Sequence, residues 1–325
     1  MEYKNLGNTG LKVSSLCLGT MTFGDGADET MCHKLYTLSR DKGINFFDCA
    51  NVYAKGESER ILGKLIHGHR DEVVLATKAY YPTGNNINDK GLSRRHLTKE
   101  LEKSLKRLNT DYIDVYYLHS FDTETPLEES LSTLNDFIRQ GKVLYIGLSN
   151  FAAWQVMKAI SINRLYNLAP VACIQPMYNL LKRQCESEIL PMAQHEGLGV
   201  VTYSPLAGGL LTGKYLNNKE VQGRYTIGGE MTEMYQKRYM DETNDRAIKK
   251  YLKFAKENDY DPAALSIAWV KHHNTITSPI VGARNVDQLR SAISSLDIEM
   301  TPDLRNILSN FSLAPAKATD RAEEV

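Results

Sequence analysis

The 325-residue sequence lacks any excess of charge and any long apolar run. Its 39 Lys and Arg residues balance 39 Asp and Glu residues, for a formal net charge of +0 at pH 7, so no overall field attracts nucleic acid or an anionic membrane. No apolar stretch approaches the roughly 20 residues that a membrane-spanning helix requires, and the N-terminus, MEYKNLGNTGLKV, has no signal-peptide pattern. We therefore expect no nucleic-acid partner and no membrane partner.

Cysteine and histidine are too few and too scattered for a disulfide framework or a metal centre. The five cysteines are odd in number and include no C-x-x-C pair, which argues against a disulfide scaffold and a zinc knuckle. The histidine pairs, His67 with His69 and His272 with His273, have no third or fourth ligand spaced to join them. We expect surface or capping histidines, no metal and a cytoplasmic location.

Three familiar motifs are absent or incomplete. The segment after the first predicted barrel strand reads GTMTFGDG rather than G-x-G-x-x-G, so a doubly wound dinucleotide-binding fold is not indicated. GLSNF places Phe151 where a G-x-S-x-G nucleophile elbow needs Gly. GGLLTGKY resembles a P-loop but has Tyr215 where Ser or Thr would bind magnesium. We interpret it as a loop whose glycines let the backbone approach a phosphate while Lys214 supplies charge.

Short apolar runs alternate with helix-period segments, which predicts a parallel sheet with crossover helices. Eight such units in about 290 residues favour an α/β fold of the (β/α)₈ TIM-barrel type, preceded by a short β-hairpin. The predicted barrel strands cover residues 15–19, 45–49, 73–78, 114–119, 144–149, 172–175, 200–204 and 277–281. We expect one barrel domain over 1–315 and a mobile tail over 316–325.

The segment after the seventh predicted strand, residues 206–240, is rich in Gly, Asn, Lys and Tyr. It is too long for an ordinary connection between a strand and a helix, so it is either an active-site loop or disordered.

One predicted helix begins after Ser93 and carries an apolar stripe of leucines at helical spacing. Its other face is basic, and we expect that face to be plain solvated surface. The basic residues are Arg94, Lys103, Lys106 and Arg107.

Four ionisable residues follow or end predicted strands, where the active sites of such barrels lie. They are Asp48, Tyr53, Lys78 and His119. A phenol with a pKa near 10 is a poor acid at pH 7 until its phenolate is stabilised. At about 4 Å, the Lys78 ammonium would favour the phenolate by roughly 4 kcal/mol, or about 3 pKa units, before burial opposes it. Asp48 would keep Lys78 charged, His119 could hydrogen-bond a substrate oxygen, and a cofactor would have to supply the hydride.

These residues lie within motifs that run in order along nearly the whole chain. The motifs are GTMTFG, FFDCANVYAKGESER, LATK, DVYYLH, GLSNF, QPMYN, YSPLAGGLLTGKY and GARNVDQL. In this set the chain resembles the aldo-keto reductases. The resemblance implies NAD(P)H-dependent reduction of aldehydes and ketones, with Tyr53 as the general acid and Asp48, Lys78 and His119 completing a catalytic tetrad.

The resemblance also implies the residues that hold the nucleotide. Ser149, Asn150 and Gln175 would bind the nicotinamide carboxamide, and Tyr203 would stack on its ring. Backbone groups and one cation would wrap the pyrophosphate, while Arg224 would help to close the loop. The pyrophosphate segment comprises Ser204, Pro205, Leu206, Gly208 and Lys214. Further expected contacts are Gly19, Thr20, Met21 and Asp48, with Gly282, Ala283, Arg284 and Gln288 at the adenosine end.

Two departures from the family pattern concern the adenosine end. Gly282 stands where some relatives place a Lys on the 2′-phosphate, although Arg284 could meet the same charge need. Ser291 and Ala292 stand where many members have Glu-Asn. The resemblance implies a preference for NADP(H), with NAD(H) as the alternative.

We expect an aromatic substrate pocket suited to carbonyl compounds with apolar groups. Its predicted walls are Phe23, Tyr53, Tyr80, Tyr81 and His119. The glycine- and asparagine-rich loop over 80–91 either covers this pocket or is ordinary surface.

Two other functions remain open from the sequence. Some aldo-keto reductase relatives are redox-sensing β-subunits of potassium channels, and they keep the tetrad. A barrel hydrolase that uses Asp48 with a second carboxylate is the third alternative. The oligomeric state and the physiological substrate do not follow from the sequence.

Overall fold

Eight short parallel strands close into a barrel in the computed structural model, which describes residues 1–215, 221 and 223–319. Each predicted strand is present, with ends within two residues of the predicted ones. The fold is therefore the predicted (β/α)₈ barrel. In chain order its strands are β3 (Cys17–Gly19), β4 (Phe46–Asp48), β5 (Val74–Ala79), β6 (Ile113–Leu118), β7 (Val143–Ser149), β8 (Val171–Gln175), β9 (Gly199–Thr202) and β10 (Ser278–Val281).

Helices surround the barrel and connect its strands. They are α1 (Glu29–Asp41), α2 (Glu57–Ile66), α3 (Arg94–Leu108), α4 (Leu127–Arg139), α5 (Ala153–Leu165), α6 (Ile189–Glu196), α7 (Gly229–Tyr239), α8 (Glu242–Glu257), α9 (Pro262–Lys271), α10 (Val286–Ile293) and α11 (Pro302–Ser309). No helix in the described part of the chain is long and apolar enough to cross a membrane.

The segment 206–240 is not the wholly irregular stretch that its composition suggested. It contains a 3₁₀ helix over Ala207–Thr212 and the helix α7. Aromatic spacing explains α7, because Tyr235 and Tyr239 lie one turn apart and are both buried. Residues 216–220 and 222 of this segment lie outside the described residues, as do 320–325 of the predicted tail.

The predicted hairpin covers the N-terminal end of the barrel. Its strands, β1 (Tyr3–Asn5) and β2 (Lys12–Ser14), pair antiparallel. Leu6 and Val13 are fully buried against side chains of the barrel interior. The opposite, C-terminal end is left open, and this is the end at which the active sites of such barrels lie.

Side chains that point into the barrel alternate along each strand with those that face the helices. The interior cluster includes Phe46 of β4, Ala76 of β5, Tyr117 of β6, Cys173 of β8 and Val201 of β9. On each strand, the residue two positions later also points inward, and it lies at the C-terminal end of the barrel, which we call the mouth. This spacing fixes which residues form the site described below.

Helices α2 and α3 pack at unusually short range. A Cβ atom added to Gly63 of α2 would lie 2.6 Å from the carbonyl oxygen of Leu108 in α3. Beside this contact, Arg107 is largely buried and its Nε donates a hydrogen bond of 2.6 Å to buried Glu59. The basic face of α3 is thus only partly the plain solvated surface that was predicted: Arg94 and Lys106 are exposed, but Arg107 and Lys103 neutralise buried carboxylates.

The substitution Gly63→Ala should lower the free energy of unfolding by about 1–3 kcal/mol, because the new methyl group can be accepted only if α2 moves away from α3. Denaturant unfolding of the variant and the wild type measures the change. Gly10→Ala is the control, since a Cβ atom there meets nothing within 4 Å. Equal stability of both variants would contradict the close packing of α2 on α3.

Candidate active site

Polar side chains replace apolar ones where the inward-facing positions reach the mouth of the barrel. Two residues beyond Phe46, Ala76 and Tyr117 stand Asp48, Lys78 and His119, all buried. In the same way, Gln175 follows Cys173 in β8 and Tyr203 follows Val201 in β9. The alternation of the strands therefore brings these five groups to one end of the barrel.

The Lys78 ammonium is the centre of the site. Its Nζ lies 2.5 Å from Oδ2 of Asp48, 2.7 Å from the carbonyl oxygen of Cys49 and 3.5 Å from the hydroxyl of Tyr53. The other carboxylate oxygen of Asp48 accepts a hydrogen bond of 2.8 Å from Nε2 of Gln175. The Lys78 ammonium therefore donates to one anionic and one neutral acceptor, and its third contact is with the phenol hydroxyl.

Burial dominates the electrostatics of the phenol. It raises the pKa of Tyr53 to about 12, because the effect of burial exceeds the opposing effect of Lys78. Burial also opposes the charge of Lys78, but Asp48 and Tyr53 together raise the pKa of the ammonium above its ordinary value. The expected lowering of the phenol pKa by Lys78 is thus outweighed by burial, and Tyr53 is protonated at neutral pH with a charged Lys78 beside it.

His119 faces the phenol as a neutral ring. Burial and the neighbouring Lys78 hold the pKa of His119 well below its ordinary value. Its Nδ1 is buried and has no hydrogen-bond partner among the described residues. The ring centroid lies 6.1 Å from that of Tyr53 and 4.9 Å from that of Tyr81, both at steep angles. A neutral imidazole in this place can donate one hydrogen bond without adding charge.

The predicted carboxamide-binding residues form a chain of hydrogen bonds along the mouth. The hydroxyl of Tyr203 donates to Oδ1 of Asn150 at 2.7 Å, and Nδ2 of Asn150 donates to the carbonyl oxygen of His119 at 2.9 Å. Ser149 donates to the carbonyl oxygen of Gln175 at 3.1 Å. To bind to the Asn150 side chain, a ligand amide would have to replace the hydrogen bond from Tyr203. The same hydrogen bond holds the Tyr203 ring at the mouth.

Three cations converge on the loops after β9 and β10. Burial and the nearby charges of Arg284 and Arg224 lower the pKa of Lys214. The Arg224 guanidinium donates to the hydroxyl of Tyr235 and lies 3.6 Å from the sulfur of Met21. None of the three cations forms an ion pair with a described residue. Such a group is suited to a multiply charged anion.

The backbone around the glycines of GGLLTGKY turns tightly beside these cations. Gly208 and Gly209 have φ values of 67° and 100°, a region that favours glycine. A Cβ atom on Gly209 would lie 2.9 Å from Cε of Lys214. Upstream, Ser204 also has a positive φ of 59°, Pro205 is buried and Leu206 is half-buried.

The loops after β3 and β10 complete this side of the mouth. Thr22 donates a hydrogen bond to the carbonyl oxygen of Ala283, which joins the two loops. Thr20 is fully buried and its hydroxyl donates to the carbonyl oxygen of Asp48. At the far end, Gln288 accepts a hydrogen bond from the backbone of Arg284. Of the residues expected on these loops, Met21 is half-buried, Gly282 is exposed, and Gly19 and Ala283 are buried.

The predicted substrate walls differ in how far their side chains are exposed. Phe23 is fully buried in the core between the barrel and its helices, so its side chain presents no exposed surface in this structure. Tyr80 is half-buried, and Tyr81, which is 41% exposed, packs its ring edgewise on those of Tyr80 and His119. The loop over 80–91 therefore contributes at least Tyr81 to the surroundings of His119.

Sequence reasoning missed several residues at this mouth. Phe121, two residues after His119, packs edgewise on Phe151 and on Trp154, which is 62% exposed at the start of α5. The sequence offered one signal for them, since Phe121 and Phe151 each stand two residues after the end of a predicted strand.

The described part of the chain contains no group of three or more His, Cys, Asp or Glu side chains that could hold a metal ion.

Comparison with known proteins gives matches over almost the full length. The family model described as the aldo/keto reductase family matches residues 15–310. An uncharacterised oxidoreductase of Bacillus subtilis (strain 168), YrpG, is 39% identical over 99% of this chain and 99% of its own length. A rice protein named "Probable voltage-gated potassium channel subunit beta" is 39% identical over 98% and 99% of the two chains. Protein tas of Escherichia coli (strain K12) is 33% identical over 94% and 95%.

The neutral, buried state of His119 predicts a pH dependence of stability. As pH falls through the ordinary histidine pKa near 6.5, the unfolded chain gains a proton that the folded ring does not accept, so stability is lost. In His119→Asn, the loss of unfolding free energy between pH 7.5 and 5 should be smaller by up to about 2 kcal/mol. Urea unfolding at the two pH values measures this. His33→Asn, which removes an exposed histidine of α1, is the control. An unchanged pH dependence in His119→Asn would show that the folded ring accepts the proton.

Proposed function

The chain belongs to the aldo/keto reductase family, and from this premise we propose that it reduces aldehydes and ketones to alcohols with NADP(H) as its preferred cofactor. The observation that carries the proposal is the partly buried contact between the Lys78 ammonium and the Tyr53 hydroxyl at 3.5 Å, with Asp48 on the other side of the ammonium. This arrangement is suited to giving a proton to an oxygen that gains negative charge. The bound nucleotide would supply a hydride.

Tyr53 is the proton donor in this proposal. The raised phenol pKa of about 12 keeps the hydroxyl protonated until a substrate oxygen becomes a stronger base. When the proton leaves, the Lys78 ammonium stabilises the phenolate, and its charge is in turn held by Asp48. His119 donates a second hydrogen bond to the carbonyl oxygen from its neutral ring, which orients the carbonyl toward Tyr53.

The cation group supports the choice of a phosphorylated dinucleotide. Lys214, Arg224 and Arg284 bring three positive charges to loops that also carry the tightly turned Gly208 and Gly209. A pyrophosphate and a 2′-phosphate both need cations and closely approaching backbone N–H groups. We assign Arg284 to the 2′-phosphate because it lies on the loop after β10, next to Gln288. Gln288, Gly282 and Ala283 would then surround the adenosine.

The substrate class in this proposal is a small carbonyl compound with an apolar group. Tyr80, Tyr81 and His119 form an aromatic flank beside Tyr53. Aromatic walls with a few convergent polar groups are typical of sites that bind such molecules.

A second function is supported by the comparisons alone. Proteins of rice and Arabidopsis thaliana that carry the name "Probable voltage-gated potassium channel subunit beta" are 39% and 37% identical to this chain. A regulatory subunit that binds NADP(H) with little turnover would share the site described above.

Steady-state rates with NADPH and NADH across aldehydes, dicarbonyls and sugars separate the two functions. Rapid turnover without a stable membrane partner in a pull-down would reject the regulatory function, and failure to bind NADPH would favour a hydrolase.

Tyr53→Phe should reduce kcat for carbonyl reduction by about 10²–10⁴-fold, because it removes the hydroxyl that gives the proton and leaves the ring in place. The dissociation constant for NADPH, measured by fluorescence titration, should remain nearly unchanged. Tyr112→Phe, which alters a hydroxyl that donates to Asp71 at the opposite end of β6, is the control. A wild-type kcat in Tyr53→Phe would refute its assignment as the acid.

Arg284→Ala should raise KM for NADPH about tenfold or more while changing KM for NADH little, because only NADPH carries the 2′-phosphate. Initial-rate kinetics with both cofactors measure the two constants. Arg290→Ala, on the exposed side of α10, is the matched control. Equal effects on both cofactors would remove the proposed 2′-phosphate contact.

A further inference from the structure

Glu100 of α3 is a buried carboxylate that the proposed reaction does not use. Its side chain is 1% exposed. Oε2 accepts a hydrogen bond of 2.8 Å from Nδ2 of Asn51. Oε1 accepts one of 3.0 Å from the hydroxyl of Thr83 and one of 2.9 Å from Nζ of Lys103. Because a buried carboxylate is costly unless its oxygens are satisfied, this set of three donors fixes the side chain firmly.

The first of these donors lies on the segment that carries the proposed acid. Asn51 stands between Asp48 and Tyr53 and is 3% exposed. Its backbone N–H donates to the carbonyl oxygen of Lys78 at 3.2 Å, while its side-chain amide donates to Glu100. Oδ1 of Asn51 is buried and has no hydrogen-bond partner among the described residues. The contact with Glu100 therefore determines how the Asn51 side chain is held.

The backbone immediately after Tyr53 needs such support. Ala54 and Lys55 have positive φ values of 46° and 55°, in succession. Non-glycine residues in this region carry strain of about 1–3 kcal/mol each and keep the conformation only where the surroundings impose it. Asn51 precedes this strained turn by three residues, so the bond to Glu100 holds the segment just before the chain bends.

The second donor lies on the aromatic loop. Thr83 follows Tyr81 by two residues, and its backbone N–H donates to the carbonyl oxygen of Asp89 within the same loop. Since Tyr81 packs its ring edgewise on His119 at 4.9 Å, the bond from Thr83 to Glu100 connects α3 with the flank of the catalytic histidine.

The charge of the carboxylate suits this double contact. Burial raises the pKa of Glu100, but the hydrogen bonds from Lys103, Asn51 and Thr83 together outweigh it and hold the pKa below its ordinary value. An ionised carboxylate accepts hydrogen bonds at both oxygens, so it can hold donors from two separate loops at once.

We propose that Glu100 is a positioning residue that fixes Tyr53 against Lys78 through Asn51 and fixes Tyr81 against His119 through Thr83. This inference rests on the proposed carbonyl reductase function. Displacement of a reacting group by about 1 Å can reduce a rate by about 10²-fold, so the loss of this contact should be visible in turnover even though Glu100 touches neither the substrate nor the reacting atoms.

Glu100→Ala should lower kcat for aldehyde reduction by at least about tenfold. Because it also removes the contact with Thr83, it should raise KM for the aldehyde, while KM for NADPH and the dissociation constant for NADPH remain unchanged. Glu102→Ala is the matched control, because Glu102 lies on the same helix, is exposed and pairs with Lys142. Asn51→Ala should reproduce the loss of kcat, and combining it with Glu100→Ala should add little, since both remove the same contact. Thr83→Val should instead mainly raise KM for the aldehyde.

The outcomes separate the inference from the function on which it rests. If the wild type and Glu102→Ala reduce no carbonyl compound, the proposed function fails and this inference fails with it. If both are active and Glu100→Ala keeps the same kcat, only the inference is overturned, even where its melting temperature falls. If Glu100→Ala does not fold, Asn51→Ala decides: a kcat equal to that of the wild type overturns the inference, and a matching tenfold loss supports it.

Discussion

The buried ion pair of Lys78 and Asp48 is the interaction on which the rest of the mouth depends. With 0% and 3% side-chain exposure, neither charge is hydrated, and such a pair is stable only where additional hydrogen bonds satisfy the remaining polar groups. The carbonyl oxygen of Cys49, just after β4, and the amide of Gln175 in β8 supply these hydrogen bonds. Because Gln175 in turn lies beside Ser149 and Asn150, the constraint extends across the barrel to Tyr203.

The alternation of the strands explains why so much of this arrangement was predictable from the sequence. All eight barrel strands were predicted, and their ends place Asp48, Lys78 and His119 in one mouth. Other features follow from packing between elements that are distant in sequence. The helix α7 inside 206–240 and the burial of Phe23 depend on which surfaces cover them. On the basic face of α3, the helical spacing of the sequence does not show that Arg107 is largely buried while its neighbour Lys106 is exposed.

Backbone strain is concentrated at the same end of the barrel. Of the eight non-glycine residues with positive φ in the described chain, five lie on loops that follow barrel strands: Ala54, Lys55, Asn150, Ser204 and Ala207. The other three lie at helix ends, where such angles are common. Strain persists only where the surroundings over-determine the backbone. The loops of the mouth are therefore held by their contacts more than by their own conformational preferences, which makes the residues behind them important for the site.

Three buried carboxylates hold the segment between β4 and α2 in this way. Asp48 begins it and is neutralised by Lys78, and Glu59 in α2 receives hydrogen bonds from Thr77 and Arg107. Glu100 holds its middle through Asn51. Each carboxylate has its own cation, so the segment is fixed at three points without an unpaired buried charge. Preorganised groups need no rearrangement when charge develops at the substrate oxygen. In the proposed reaction Tyr53 would thus already be in place. The cations Lys214, Arg224 and Arg284, by contrast, have no carboxylate partner among the described residues.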